Sequence, residues 1–300
     1  MTILDTIGNT PLFRIRNLIA DDKNVTIYAK GEYLNPSGSV KDRAAKAMLL
    51  EGIESGKLNH EKTIIDATSG STGMAYAMMG AALGYHVKIC LLANVSVERK
   101  KSILAYGAEI IETSPLEGAD GAFEKAREIA FSNPSQYYYP DQYNNPANWR
   151  THYDTTALEI WEQTGHRVTH FVSGTGTSGT FTGNVKRLKQ LNPSIQAVVM
   201  QPDSPFHGLE GLKHMASTEH TGFYDSSLAD YEVTVGTEGA YEMTRRLAKE
   251  EGLFVGISSG ANVLAALQVA KNAPENSVIV TILCDGGYRY LSEPLWEGLD

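Results

Sequence analysis

"VTHFVSGTGTSGTFTG", residues 168–183, is the stretch whose reading decides the fold. The β-branched and aromatic run from Val168 to Val172 reads as a strand. Gly174, Gly176 and Gly179 interrupt it with hydroxyl residues between them, and a helical pattern then runs over 177–190. Strand, glycine-rich turn and helix make one βα unit. The same order recurs outward in both directions. Strand-like runs lie at 25–30, 63–68, 86–92, 108–113, 195–201, 231–235 and 277–284, and helical patterns at 71–83, 96–106, 118–131, 238–251 and 260–271. Such alternation implies parallel strands joined by crossover helices. Several of the strands are apolar on both sides, as required of sheets covered by helices on each face. The stretch "SNPSQYYYPDQYNNPANW" (132–149) breaks the alternation and reads as an inter-domain connection.

The chain has 300 residues, room for two α/β domains, with 42% hydrophobic and 20% charged residues, the balance of a soluble globular protein. Its net charge of −9 and its short, interrupted basic clusters point away from nucleic acid. The N-terminus lacks the basic and apolar regions of a signal peptide, and no apolar run reaches membrane-spanning length. Cys90 and Cys284 each lie in or end a β-branched run, so buried reduced thiols are expected. Their spacing fits no metal motif. The expected setting is the cytoplasm, without a membrane or metal.

Four stretches collect the chemistry. In "NPSGSVKDR" (35–43), Lys41 stands where a glycine-bearing turn becomes a helix with Ala45, Met48, Leu49 and Ile53 on one face. A cation there meets the positive end of the helix dipole, which disfavours its charge. The bland alternative is a solvated lysine. In "DATSGSTGMAYA" (66–77), Thr68, Ser69, Ser71 and Thr72 surround a helix start, more hydroxyls than a serine N-cap needs. Exposed N–H groups there form a site for a carboxylate or phosphate. The loop at 174–180 adds Thr175, Thr177, Ser178 and Thr180 to its glycines. No Walker lysine follows, and the hydroxyls suit a monophosphate cradle better than a dinucleotide turn. "GISSGAN" (256–262) presents Ser258 and Ser259 at another strand-to-helix turn, where one serine is accounted for as a cap. One amine, one monophosphate site and one carboxylate site at strand ends suggest pyridoxal 5′-phosphate acting on an amino acid, with Lys41 holding the cofactor as a Schiff base.

These motifs also resemble a known family. "IGNTPL", "NPSGSVKDR", "ATSGSTG", "DQYNNPANW", "HYDTTALEIWEQTG", "THFVSGTGTSGT", "GISSGA" and "RYLS" occur together and in order across nearly the whole chain. The sequence is thereby identified as similar to the cysteine synthases (O-acetylserine sulfhydrylases) among the fold-type-II pyridoxal-phosphate enzymes. "GLKHM" (211–215) and "CDGGYRYLS" (284–292) look closer to the B-type. The resemblance implies two α/β domains, each an open, mostly parallel twisted sheet flanked by helices, with the cofactor in the cleft. The smaller is expected at 36–145 with 1–12, the larger at 146–300 with 13–35 crossing over. It implies a homodimer. It also implies that Lys41 carries the cofactor and shuttles the α-proton. Gly176, Thr177, Ser178, Gly179 and Thr180 would bind the phosphate, and Ser258 the pyridine nitrogen. Thr68, Ser69, Thr72 and Gln142 would bind the substrate carboxylate. Two departures stand out. Ser71 replaces the family's usual asparagine, which contacts the cofactor's 3′ oxygen, and Ala157 and Leu158 replace glycine and proline in "TGPEIW".

The implied reaction is β-replacement through an aminoacrylate, with O-acetyl-L-serine and sulfide giving L-cysteine and acetate. The rivals are a cysteine lyase or cystathionine β-synthase-like exchange starting from L-cysteine or L-serine, a non-catalytic regulatory paralogue, and a serine or threonine dehydratase. Lys213 is expected near the substrate entrance, favouring anionic donors or nucleophiles. Asp230 and Glu232, flanking Tyr231, are candidate bases if their loop folds over the cleft.

Overall fold

A computed structural model of the chain describes residues 1–19, 24–218 and 222–297. The elements run β1 (Leu12–Ile15), β2 (Thr26–Lys30), α1 (Lys41–Glu54), β3 (Thr63–Ala67), α2 (Ser71–Leu83), β4 (Val87–Leu92), α3 (Val97–Ala105), β5 (Glu109–Thr113), α4 (Gly118–Ser132) and β6 (Tyr137–Tyr138). They continue with α5 (Ala147–Thr151), a π turn (His152–Thr156), α6 (Ala157–Gln163), β7 (His170–Gly174), α7 (Gly179–Leu191), β8 (Gln196–Pro202), β9 (Tyr231–Val235), α8 (Thr237–Glu251), α9 (Ile257–Asn272) and β10 (Val278–Ile282). Two compact units result. One holds Met1–Ile7, Asn35–Asn148 and Arg289–Asp300, the other Gly8–Leu34 and Trp149–Tyr288.

The first unit has a parallel sheet in the order β5-β4-β3-β6. Alternation along β3 shows why its strands are apolar throughout. Ile64 faces a core with Met48, Leu49, Tyr76 and Met79 of α1 and α2, whereas Ile65 and Ala67 face Ala122, Ala126 and Ala130 of α4. The second unit has the order β1-β2-β10-β7-β8-β9, parallel except for β1, which pairs antiparallel with β2. Both sheets are of the expected α/β kind.

Three features escaped the sequence pattern. The edge strand β1 and the two-residue β6 are too short to alternate visibly, and the run 147–163 is helical only through a π turn that shifts its period. The unit boundaries also fall elsewhere than the domain limits expected above. Residues 8–12 group with the second unit because β1 pairs with β2. Arg289 onward groups with the first, where Arg289 bonds to Ser37 and Ser71. Cys284 is half-buried, not buried as expected, while Cys90 is buried.

In the second unit, α8 and α9 approach closely at Gly260. A Cβ there would stand 2.6 Å from the Ala240 carbonyl oxygen and 2.9 Å from the Thr244 nitrogen, both backbone atoms that cannot rotate away. Gly260 of the "GISSGA" motif therefore serves helix packing. Gly260→Ala should destabilise the protein by about 1–3 kcal/mol, the usual cost of overpacking, and lower the urea midpoint of the second unit's unfolding. An unchanged midpoint would show that the helices separate freely here.

Candidate functional site

In the second unit the chain runs from β7 to β8 and β9 on one side, then returns to β10 on the other. The carboxyl ends of β7 and β10 flank the resulting switch point, where open α/β sheets bind ligands. The loop after β7 is built for an anion. Ser178 takes a left-handed φ of 65° and turns its hydroxyl back to donate to the Thr177 carbonyl at 2.6 Å, so α7 begins with no side-chain cap. Apart from Gly179 N–H, which donates to Thr177 Oγ1 at 3.4 Å, its first-turn N–H groups are left for a ligand. The Thr175 hydroxyl is buried and has no hydrogen-bond partner among the described residues. Gly176 must lack a side chain, because a Cβ would press into the Gly211 carbonyl.

The first turn of α9 lies at the same edge. Gly256 N–H donates to the Asp285 carbonyl at 2.9 Å, and Cys284 N–H donates to Ser259 Oγ at 2.8 Å. Asn262 closes the switch point: its Oδ1 accepts from Gly174 N–H at 2.8 Å, and its Nδ2 donates to the Ile282 carbonyl at 2.9 Å. Ser259 is therefore structural, while the neighbouring Ser258 hydroxyl makes no hydrogen bond among the described residues. The "GLKHM" segment adjoins the loop, since Lys213 N–H donates to the Thr175 carbonyl at 2.8 Å.

In the first unit, Lys41 is the opening residue of α1. Its turn is folded around buried Asp42, which accepts from Ser37 N–H at 2.6 Å and from the Ser37 hydroxyl. The loop after β3 lies at the carboxyl edge of its own sheet. Thr68 Oγ1 accepts from Gly70 N–H at 3.0 Å. Thr72 donates to Gln142 Oε1 at 2.8 Å, and Gln142 Nε2 donates to the Ala67 carbonyl at 2.5 Å. Arg99 supports the loop from beneath, donating to the Ser69 carbonyl at 3.1 Å and packing on the Tyr290 ring at 4.5 Å. Arg289 donates to Ser71 Oγ at 2.8 Å and to the Ser37 carbonyl. Thr68, Ser69, Ser71, Thr72 and Gln142 thus form one cluster.

Asp230 does not fit the role of base. Asp230 is level with Ala197, whose N–H it accepts at 2.7 Å, and Ala197 pairs with Phe171. That position is three residues before the end of β7, about 10 Å back from its carboxyl edge at ~3.3 Å per residue. Burial pushes its carboxyl up, but the Lys189 ammonium at 2.8 Å and the Ala197 amide hold it below the usual range. Glu232 follows on the exposed edge strand β9. Asp230 is thus engaged away from the carboxyl edge, whereas Glu232 is level with Val199 and, through it, Ser173. Sequence reasoning, in turn, assigned no role to Asp42, Arg99, Asn262 or Arg289. The Arg289–Ser71 bond joins residues 218 apart, beyond any local pattern.

Within the second unit, the uncapped start of α7 and the Thr175 hydroxyl suit a phosphate such as that of pyridoxal phosphate, and Ser258 offers an uncommitted hydroxyl. Within the first unit, Lys41 offers an amine at the start of α1. Among the described residues no cluster of His, Cys, Asp or Glu could hold a metal, and no helix is long and apolar enough to cross a membrane.

Comparison with known proteins agrees with this chemistry. Residues 3–285 match the family described as pyridoxal-phosphate dependent enzyme. A cysteine synthase of Aquifex aeolicus is 49% identical, covering 100% of this chain and 93% of the relative. The crystal structure of an O-ureido-L-serine synthase superposes with a TM-score of 0.93 at 39% identity, covering 100% of this chain and 96% of the other. That of an O-acetylserine dependent cystathionine β-synthase from Helicobacter pylori superposes at 0.91 with 37% identity, covering 98% of each. The chain belongs to the pyridoxal-phosphate-dependent enzyme family.

Beneath the first-unit loop lies Asp66, wholly buried. Burial pushes its carboxyl from 3.8 up to about 7, against the Ala67 amide and the Tyr76 hydroxyl, which pull it down. Burial likewise pushes the Cys90 thiol up to about 11. Between about pH 4 and pH 7 the folded state holds the Asp66 proton and the unfolded chain does not, so stability should fall as pH rises through this window and then level off. Asp66→Asn should flatten that fall, which is on the order of a few kcal/mol in the native sequence. Urea unfolding at a series of pH values checks it, and an unaltered slope in the variant would assign the pH dependence to other groups.

Proposed function

We propose that this chain catalyses β-replacement on an L-serine derivative, with O-acetyl-L-serine as donor and sulfide as acceptor, giving L-cysteine and acetate. The observation that carries the reading is the uncapped start of α7 at the switch point, with its buried Thr175 hydroxyl lacking a partner among the described residues. Such a cradle suits the phosphate of pyridoxal 5′-phosphate, and the cysteine synthase relative supplies the reaction class.

When bound, the cofactor supplies an electron sink that weakens the substrate's Cα–H bond and lets the β-substituent depart. The chain's residues do the rest. The Lys41 amine would hold the cofactor covalently and would carry the α-proton on Nζ. N–H groups of Gly176 to Thr180 and the hydroxyls of Thr177 and Thr180 would hold the phosphate, Ser178 contributing through its backbone because its hydroxyl is committed to the Thr177 carbonyl. Ser258 would offer the ring nitrogen a neutral hydroxyl in place of an acid, a partner that suits elimination. Thr68, Ser69 and the second amide hydrogen of Gln142 would take the substrate carboxylate, with Thr72 contributing through its N–H because its hydroxyl is committed to Gln142. The Thr68 oxygen already accepts from Gly70, so its own proton is available for donation. Lys213, anchored beside the loop, favours anionic substrates.

A second reading starts from L-cysteine or L-serine and releases hydrogen sulfide or water. What favours it is Ser71, smaller than the family's asparagine and leaving room for a nucleophile. The reading extends to a cytoplasmic homodimer: the dimer rests on the family resemblance, and no disulfide joins Cys90 and Cys284.

Separate incubation with O-acetylserine, O-phosphoserine, L-serine and L-cysteine tests the donor. O-acetylserine should give the fastest change in the cofactor's absorbance and, with sulfide, L-cysteine. Faster turnover of L-cysteine with sulfide release would select the second reading, and a colourless purified protein would point to a regulatory paralogue. Lys41→Ala should still fold cooperatively while losing borohydride-trappable cofactor and about 10³-fold or more of its activity. Full activity in this variant would end the assignment.

Lys213→Ala should raise KM for O-phosphoserine or thiosulfate roughly two- to fivefold, the scale of a solvent-screened charge interaction, and leave neutral substrates alone. Equal effects on charged and neutral substrates would reject that role.

A further inference from the structure

Arg289 lies outside every motif given a role above, yet its guanidinium reaches two of them. It is buried, and its backbone is fixed: its carbonyl accepts from the Ser96 hydroxyl at 2.8 Å. The next residue, Tyr290, covers Arg99, and Ser292 donates to Glu98 at 2.8 Å. From this base Arg289 donates through Nη2 to the Ser37 carbonyl, in the Lys41 turn, and through Nη1 to Ser71 Oγ at 2.8 Å, at the start of α2. Gly38 makes room for it. Its φ is +92°, and a Cβ there would lie 3.0 Å from Nη2.

The direction of the Ser71 bond matters. A guanidinium only donates, so Ser71 Oγ accepts from Arg289 and its own proton must point elsewhere. No hydroxyl bond from Ser71 to any described residue is present. Ser71 is therefore a donor without a protein acceptor, polarised by the cation behind it. An asparagine amide is planar and carries two donors in fixed directions. A hydroxyl rotates freely unless something orients it.

We propose that Arg289 is a positioning residue. It aims the Ser71 hydroxyl proton at an acceptor oxygen of the bound ligand, and it ties the Lys41 turn and Ser71 to one spacing. Resting on the function proposed above, that oxygen is the ring oxygen of pyridoxal phosphate. The pair Arg289–Ser71 thus does with a cation and a hydroxyl what the family's asparagine does with an amide.

The test is a double-mutant cycle read on the bound cofactor's absorption, in the ratio of its near-ultraviolet and visible bands, which follows the protonation of that ring oxygen. Arg289→Met should change the ratio roughly two- to tenfold, the size expected for one hydrogen bond of ordinary net strength. In the Ser71→Ala background the same substitution should change nothing further, because no hydroxyl remains to be aimed. A purely structural role would shift thermal unfolding equally in both backgrounds and leave the ratio alone. That result, or additive changes in the ratio, overturns the inference. Arg289→Lys keeps the charge but not the fork that spans both partners, and it provides the same reading should the methionine variant fail to fold. Borohydride trapping separates the two levels of failure. Labelled Lys41 with an unmoved ratio removes only the role of Arg289, whereas absence of label in the native sequence removes the proposed function and this inference together.

Discussion

The second unit depends on the side chain of Asn262. At the switch point β7 and β10 diverge into separate loops, so the Gly174 N–H and the Ile282 carbonyl cannot be satisfied by continuing the ladder. Asn262 serves one with its oxygen and the other with its nitrogen. Left unmade, each such buried bond would cost about 1–3 kcal/mol. The amide also fixes the first turn of α9 against both strand ends, and with it Ser258. An aspartate there would lack the donor for Ile282, and a leucine would orphan both groups. Placing a buried amide at the crevice lets the sheet open for a ligand without losing its backbone pairing.

A common pattern governs the loops of both units. Groups that accept find internal partners, while several groups that donate are left over. Asp42 consumes the Ser37 donors to fold the Lys41 turn. Gln142 absorbs the Thr72 proton and caps the Ala67 carbonyl. Thr68 spends its lone pair on Gly70, and Ser71 spends its own on Arg289. Among the described residues the Thr175 and Ser258 hydroxyls then remain, with the first-turn N–H groups of α7 beyond Gly179. Loops that keep an excess of donors suit a ligand whose groups are anionic, as phosphate and carboxylate are.

The fold was legible because its signals are local. β9 and α2 begin and end where the pattern places them, and the other long strands and helices agree to within a few residues. Hydroxyl-rich turns at strand ends were legible for the same reason. What stayed hidden involves distance along the chain. Nothing near Arg289 announces that it reaches Ser37 and Ser71, and nothing near Asn262 marks it as a bridge rather than a helix residue. Asp230 shows the opposite case. Two acids around a tyrosine look like chemistry, but a parallel sheet has a functional end and a structural end. Only the register of β8 against β9 tells which end Asp230 occupies.

The first-unit loop shows how such a fold sets a local field without placing a cation in the open. Two buried guanidinium groups, Arg99 and Arg289, lie directly behind residues 69–71, one on the Ser69 carbonyl and one on Ser71 Oγ. The start of α2 adds the positive end of its dipole, and Gly70, at φ +130°, packs so tightly on Arg99 that a Cβ would lie 2.6 Å from its Cδ. The acid beneath, Asp66, would oppose this field if ionised, but burial keeps its proton up to about 7. Lysines at the rim would supply the same sign of charge, yet they are flexible and screened by salt. Arginines held under the backbone act through fixed hydrogen bonds in a medium of lower dielectric, where their influence on an arriving anion is greater. The charge that recruits an anionic group and the bonds that shape the loop are therefore supplied by the same two side chains, so neither can be altered without the other.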